Sequence, residues 1–123
     1  MELEGLFSRY DRLVFFDTET TGLRFSRDEI IEFAAVVVEC RGGKAEIIEE
    51  YDQLISLSPG GFVPPMIQEL TGISNEDLRE KGIPKTRLCC DIARLIAGDT
   101  LLLAYNAHFD LSFLFYMLLR DGD

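Results

Sequence analysis

The sequence predicts an α/β domain in which an open mixed β-sheet is flanked by helices. An uninterrupted apolar run at residues 13–16 indicates a buried strand, and two longer runs rich in Ile and Val follow it. Further along, apolar residues recur at the spacing of a helix face on either side of one more strand-like run. At 123 residues the chain has the length of one domain, so residues 1–123 are expected to share a single core.

Strands are predicted at residues 13–18, 29–39 and 45–57, with a fourth at residues 100–105. Gly42 and Gly43 separate the second strand from the third, and a Gly-Gly pair between two such runs is a hairpin signal. The second and third strands are therefore expected to pair with each other.

Three helices are predicted between the third and fourth strands. Ser74 followed by Asp77 resembles a capping box and marks the start of the middle helix. The third helix has an apolar face made of Leu88, Ile92, Leu95 and Ile96. Prolines and glycines, which favour helix starts and helix ends, lie at the limits of these helices: Pro64, Pro65, Gly82, Pro84 and Gly98.

A last helix is expected after the fourth strand, with Asn106 as its N-cap and Asp110 in its first turn. Its face from Leu111 to Leu119 is almost wholly apolar. If nothing covers that face, we expect the chain to self-associate through it.

Asp17 and Glu19 follow the first apolar run and lie two positions apart. Side chains two apart on a strand point to the same face, so the two carboxylates would project side by side. Carboxylates held that close repel unless a proton or a cation lies between them, and hard divalent ions prefer oxygen ligands. The alternatives are solvated surface for this pair and a helix-dipole acid for Asp110.

Four segments resemble the DEDD superfamily of 3′–5′ exonucleases, which has a ribonuclease-H-like fold and includes the proofreading exonucleases of bacterial DNA polymerase III. Residues 16–23 (FDTETTGL) match its first motif and residues 106–110 (NAHFD) its second. Residues 30–36 and 70–74 resemble two further segments in the same order. The resemblance implies a nuclease that removes nucleotides from a single-stranded 3′ end, on DNA by preference, with RNA trimming as the alternative.

The resemblance also implies two divalent metal ions, Mg²⁺ or Mn²⁺. Asp17 would bridge both ions, Glu19 would bind the ion near the nucleophile, and Asp110 would hold the second. The terminal nucleotide would be contacted by Thr20, Thr21, Gly22, Leu23, Leu70, Thr71, Ile73, Asn106 and Phe109. Core packing for Leu70 and Ile73 and turn hydrogen bonds for the threonines remain alternatives. Glu32 is interpreted as a structural acid outside the site.

One part of the family pattern is absent from this sequence. The family places a general-base histidine and a fourth acid in an H-x4-D pattern downstream of the second motif. His108 is the one histidine here, and it belongs to the second motif. We therefore expect an incomplete domain with its C-terminal part missing, inactive or weak in this form. A non-catalytic binding or assembly module and a fragment completed by another chain are the alternatives.

The net charge of −10 argues against a protein that coats long duplexes, because Lys and Arg drive such binding. It argues less against an enzyme that accepts one strand end, because bound metal ions would supply local positive charge there. The three cysteines show no metal-binding spacing and are expected to be reduced thiols in a cytoplasmic protein. No apolar run has the length of a membrane span. A DNA polymerase assembly is a candidate partner.

Overall fold

The computed structural model describes residues 5, 9–104 and 107–122, and within the last helix it leaves the side chains of residues 107–111 and 115 undescribed. The strands are β1 (Arg12–Thr20), β2 (Ile30–Arg41), β3 (Lys44–Leu54) and β4 (Thr100–Ala104). The helices are α1 (Pro65–Thr71), α2 (Asn75–Lys81), α3 (Lys85–Leu95) and α4 (Ala107–Asp121).

The four strands form one sheet in the order β3-β2-β1-β4. β1 runs antiparallel to β2 and parallel to β4, so the sheet is mixed, as the sequence predicts. Gly42 and Gly43 join β2 to β3 with φ of 59° and 79°, the left-handed conformations that a tight two-residue hairpin requires. The predicted hairpin is therefore confirmed.

The third strand ends earlier than predicted, at Leu54 instead of residue 57. The Ile55 N–H still donates to Ile31 O of β2 at 2.9 Å, but Ile55 also forms an isolated parallel bridge with Ile83, just before α3. This contact lies far away in sequence, so the local pattern of residues 45–57 does not reveal it. It ties the end of β3 to the start of α3.

Helices α3 and α4 cover one face of the sheet. Val14 and Phe16 of β1 share this face with Phe33, Ala35 and Val37 of β2, because side chains alternate along a strand. The helices contribute Leu88, Cys89, Ile92, Leu95, Phe113, Leu114 and Met117 to the same core. Phe113, Leu114 and Met117 belong to the apolar face of α4, so the chain itself covers this part of that face. Leu119 stays exposed.

The opposite face of the sheet carries two features. At one end Ile31 packs with Val63, Ile73 and Leu78 in a second, smaller core. Further along, apolar side chains and acids line an open trough of about 670 Å³, which we call the sheet trough; its side chains on this face are Phe15, Asp17, Ala34, Val36, Glu50, Asp52 and Leu103.

The helix starts follow local signals. Pro65 occupies the first turn of α1. Ser74 caps α2 by accepting a hydrogen bond from the Asp77 N–H, and the Asp77 carboxylate accepts one from the Ser74 N–H, which confirms the capping box. Pro84 suits the first helical position, N1, by its sequence, but in the structure it is the N-cap of α3 and the helix begins at Lys85. No helix in the described part of the chain is long and apolar enough to cross a membrane.

Candidate active site

Asp17 and Glu19 lie near the C-terminal end of β1 on the sheet face that carries the trough. Their cross-strand partners on β2 are Ala34 and Glu32. Asp17 is exposed and Glu19 is half-buried. The β1–β2 register shifts directly after Glu19, so the ladder loses regularity where the acids end and the turn begins. Asp17 thus lines the sheet trough and Glu19 follows it on the same face of β1; we call this end of the trough the acidic rim.

Glu32 and Asp52 extend this acidic rim, and sequence reasoning left both out of the site. Burial raises the pKa of Glu32 to about 7, helped by its hydrogen bond with Asp52 and by the negative charges of Asp52, Glu19 and Asp17. Two carboxyl groups that share a hydrogen bond must hold a proton between them. The signal that could have identified Glu32 was an acid in an otherwise apolar strand; Asp52 lies in acid-rich β3 and carried no such signal.

Carboxylate oxygens are the ligands that hard divalent cations prefer, and several carboxylates lie on this face of the sheet. Within the residues that the structure describes, no group of three or more His, Cys, Asp or Glu side chains is close enough to hold a metal ion. A metal ion held by Asp17 and Glu19 would therefore need further oxygen ligands. The Asp110 side chain, which the resemblance assigns to this role, lies outside the described side chains.

The end of β4 lies next to this rim in the sheet. β4 is a parallel neighbour of β1, and Ala104 pairs with Phe16, the residue before Asp17. β4 thus ends at the level of the residue before Asp17, and α4 begins at Ala107. Asn106 lies outside the described residues, and for Phe109 and Asp110 the backbone alone is described.

The turn after β1 uses its threonine hydroxyls internally. Thr20 Oγ1 donates to Gly22 O at 2.7 Å, and Thr21 Oγ1 accepts from the Glu29 N–H at 3.0 Å. Both threonines are buried. The alternative of turn hydrogen bonds thus describes both hydroxyls. The exposed part of the turn is residues 23–27, in which Leu23 is 83% exposed.

The residues predicted around α1 fall into two groups. Leu70 is 75% exposed at the end of α1 and is free to contact a ligand. Ile73 is 7% exposed in the smaller core, a placement that favours packing. Thr71 Oγ1 donates to Ile67 O and accepts from the Ile73 N–H, so it closes the end of the helix.

Comparisons with known proteins identify the relatives of this chain. It is 36% identical over 119 residues to the DNA polymerase III subunit epsilon of Treponema pallidum, covering 93% of this chain and 50% of that protein. It is 37% identical over 112 residues to the 3′-5′ exonuclease DinG of Bacillus subtilis, covering 90% of this chain and 11% of that protein. The chain thus spans at most half the length of these curated relatives.

The fold has a counterpart among solved structures. Escherichia coli exonuclease I in complex with a dT13 oligonucleotide superposes with a TM-score of 0.80 at 24% identity, covering 90% of this chain and 24% of that one. This likeness confirms the ribonuclease-H-like fold. A family model described as an exonuclease, RNase_T, matches residues 14–122. Because that match takes in nearly the whole sequence, the chain belongs to the RNase_T exonuclease family.

Proposed function

We propose that residues 1–123 are an incomplete 3′–5′ exonuclease domain that removes nucleotides from the 3′ end of single-stranded DNA. The observation that carries the proposal is the placement of Asp17 and Glu19 on one face of β1, next to the end of β4. Family membership supports the reaction class. The choice of DNA rests on relatives named as DNA polymerase III subunits and on a neighbour solved with dT13.

In the proposed reaction water attacks the phosphorus of the last phosphodiester and the bond to the 3′ oxygen breaks. The products are a nucleoside 5′-monophosphate and a strand with a new 3′ hydroxyl. Asp17, Glu19 and Asp110 would hold two Mg²⁺ or Mn²⁺ ions, which supply an activated water and neutralise charge on the leaving oxygen. The side chains of this chain would position the strand end against those carboxylates.

The turn after β1 would contact the terminal nucleotide. Leu23 projects into solvent and offers an apolar surface to a base, and Gly22 before it lets the turn pack against the Asp28 carboxylate. Leu70 presents a second exposed apolar side chain on α1. We assign Thr20 and Thr21 to shaping this turn, because their hydroxyls are already engaged within it.

Catalysis by this chain alone is proposed to be weak. A general base normally accelerates proton transfer by about 10²–10⁴-fold, and the one histidine of the sequence belongs to the second motif. The exposed Asp17 also stands at an open trough, so water reaches the carboxylates freely. Without catalysis, the same arrangement would serve as a metal-dependent binding module in the cytoplasm, within a DNA polymerase assembly.

The test measures shortening of 5′-labelled single-stranded DNA and RNA by the chain with Mn²⁺. Asp17→Asn removes a metal-binding charge, and Glu46→Gln is the matched control because Glu46 is an exposed acid on the β2–β3 hairpin. We expect slow trimming of DNA that Asp17→Asn abolishes and Glu46→Gln preserves. Trimming unaffected by Asp17→Asn would overturn the active-site assignment.

Metal binding gives a readout that does not need catalysis. Calorimetric titration with Mn²⁺ should show weak binding that Asp17→Asn lowers and Glu46→Gln leaves unchanged. Mn²⁺ binding without trimming would select the binding module over the enzyme. Equal trimming of DNA and RNA would overturn the preference for DNA.

A further inference from the structure

One carboxylate holds the turn between β1 and β2 together. Asp28 Oδ2 accepts a hydrogen bond from the Arg24 N–H at 2.9 Å, and Asp28 Oδ1 accepts one from Thr21 Oγ1 at 3.3 Å. The Asp28 N–H donates to Arg24 O at 2.6 Å. A single side chain therefore bonds to both ends of the segment that carries Gly22 and Leu23.

Gly22 lies directly against this carboxylate. A Cβ built on Gly22 would stand 2.5 Å from Asp28 Oδ2 and 2.6 Å from Asp28 Cγ, closer than real Cβ atoms come to other atoms. The carboxylate thus occupies the space that a side chain at position 22 would need. Glycine at this position is explained by the close approach of Asp28.

The base of the turn is fixed to the rest of the fold through the next residue, Glu29. The Thr21 N–H donates to Glu29 O, and the Glu29 N–H donates to Thr21 Oγ1. The Glu29 carboxylate pairs with Lys85 Nζ at 2.5 Å, with side chains 12% and 9% exposed, and it accepts from the N–H and hydroxyl of Ser58. Asp28 is therefore adjacent to a residue that is bonded to the rest of the fold, and Leu23, 83% exposed, follows Gly22 on the accessible side of the turn.

We propose that Asp28 is a positioning residue for the 3′-terminal nucleotide: it holds the Gly22–Leu23 segment in the conformation that receives the strand end. The inference deepens the proposed function and rests on it. A turn that is ordered before binding need not lose its conformational freedom when the ligand arrives, so preorganisation strengthens binding. Asp28 itself need not touch the nucleotide.

The sign of the effect separates this role from simple electrostatics. Removing a negative charge from a chain of net charge −10 should strengthen its attraction for a polyanion. Loss of the hydrogen bonds that order the turn should weaken binding of the strand end instead. Asp28→Ala removes charge and hydrogen bonds together, whereas Asp28→Asn removes the charge and keeps most of the shape.

The experiment compares these two variants and the Glu46→Gln control with the unsubstituted chain in Mn²⁺. The probe is a fluorescent oligo(dT) with a phosphorothioate at its last linkage, tested with a free 3′ hydroxyl and with a 3′ phosphate. We expect Asp28→Ala to weaken binding of the 3′-hydroxyl probe about tenfold and to reduce the preference for that end. Asp28→Asn should lie between Asp28→Ala and the unsubstituted chain, and Glu46→Gln should bind equally well or better.

A second readout follows the turn without nucleic acid. The chain contains no Trp, so Leu23→Trp supplies a single tryptophan in the turn, which can be excited selectively over the four tyrosines. Adding Asp28→Ala to Leu23→Trp should lower the fluorescence anisotropy of that side chain while α-helical circular dichroism is retained. Unchanged anisotropy would overturn the ordering role of Asp28.

The outcomes distinguish the inference from the function on which it rests. A 3′-hydroxyl preference that Asp28→Ala leaves intact, or tighter binding by both variants, would overturn the inference alone. If the unsubstituted chain binds neither probe, the proposed function fails and the positioning role fails with it.

Discussion

Glu32 is an acid whose surroundings disfavour its charged form. It lies across from Glu19, and burial, the Asp52 hydrogen bond and nearby negative charges raise its pKa from 4.5 to about 7. The folded chain therefore binds this proton more tightly than the unfolded chain does. The resulting stabilisation is fully present below pH 4.5 and is lost as the pH rises toward about 7.

We predict that Glu32→Gln flattens this pH dependence, because a neutral amide does not titrate. The measurement is the free energy of unfolding in urea, with EDTA present, from about pH 5 to about pH 8. The unsubstituted chain should lose stability relative to Glu32→Gln as the pH rises. Parallel pH profiles would contradict the prediction.

For these same residues, some features could be predicted from the sequence and others could not. The shared orientation of Asp17 and Glu19 could be predicted, because side-chain alternation along one strand is a local property. The pairing of Glu19 with Glu32 could not, because it depends on the β1–β2 register and on the irregularity after Glu19. The roles assigned to Asp17, Glu19 and Asp110 stay predictions.

At the scale of secondary-structure elements, the Glu29–Lys85 ion pair joins the start of β2 to the start of α3. Burial alone would raise the pKa of Glu29, but the hydrogen bonds from Lys85 and Ser58 outweigh it and hold the pKa below its usual value. The stabilisation is therefore present above pH 4.5 and is lost as the pH falls through the lowered pKa of the folded chain.

We predict that Lys85→Met destabilises the chain by about 3 kcal/mol at neutral pH, because it leaves the Glu29 carboxylate buried without its partner. The double variant Glu29→Gln/Lys85→Met should recover part of that loss, since it leaves no unpaired charge. Urea denaturation of the two variants and the unsubstituted chain measures both effects. A double variant less stable than Lys85→Met would contradict this account.

The α2 capping box gives a prediction confined to one helix. Ser74→Ala removes the acceptor for the Asp77 N–H, so we expect a loss of about 1 kcal/mol. Ser74→Asp keeps an acceptor at the N-cap and should cost much less. Urea denaturation again provides the measurement, and equal losses for Ala and Asp would contradict the capping role.

These elements also show which parts of the fold have local causes. The hairpin at Gly42 and Gly43, the proline start of α1 and the capping box of α2 depend on neighbouring residues, and all could be predicted. The early end of β3 depends on the Ile55–Ile83 bridge, and the burial of the α4 face depends on the sheet beneath it. Contacts of that kind join distant segments, so sequence periodicity cannot locate them.

Across the whole molecule, charge is distributed unfavourably for binding long nucleic acids. Acids outnumber bases by 22 to 12. Many of the bases are already paired with carboxylates: Arg12, Arg41, Lys85, Arg87, Arg94 and Arg120. Cations engaged in this way are poor replacements for the counterions of a phosphate backbone. An exonuclease domain of this kind would rely on the strand end and the metal ions for its affinity.

We therefore predict that oligo(dT) binding in Mn²⁺ depends weakly on NaCl concentration. Each phosphate neutralised by Lys or Arg contributes about −0.7 to the slope of log K against log salt for single strands. A slope no steeper than about −1.5, corresponding to about two phosphates, is expected from fluorescence anisotropy at a fixed Mn²⁺ concentration.

Glu46→Lys is the control variant for that measurement of salt dependence. It replaces an exposed acid with a base far along the hairpin from Asp17, and it should leave the slope nearly unchanged if the strand end alone is held near β1. A slope steeper than about −4 in the unsubstituted chain would mean that at least five phosphates are neutralised. Binding would then run along an extended basic track, which the paired arginines and the acidic rim of the sheet trough oppose.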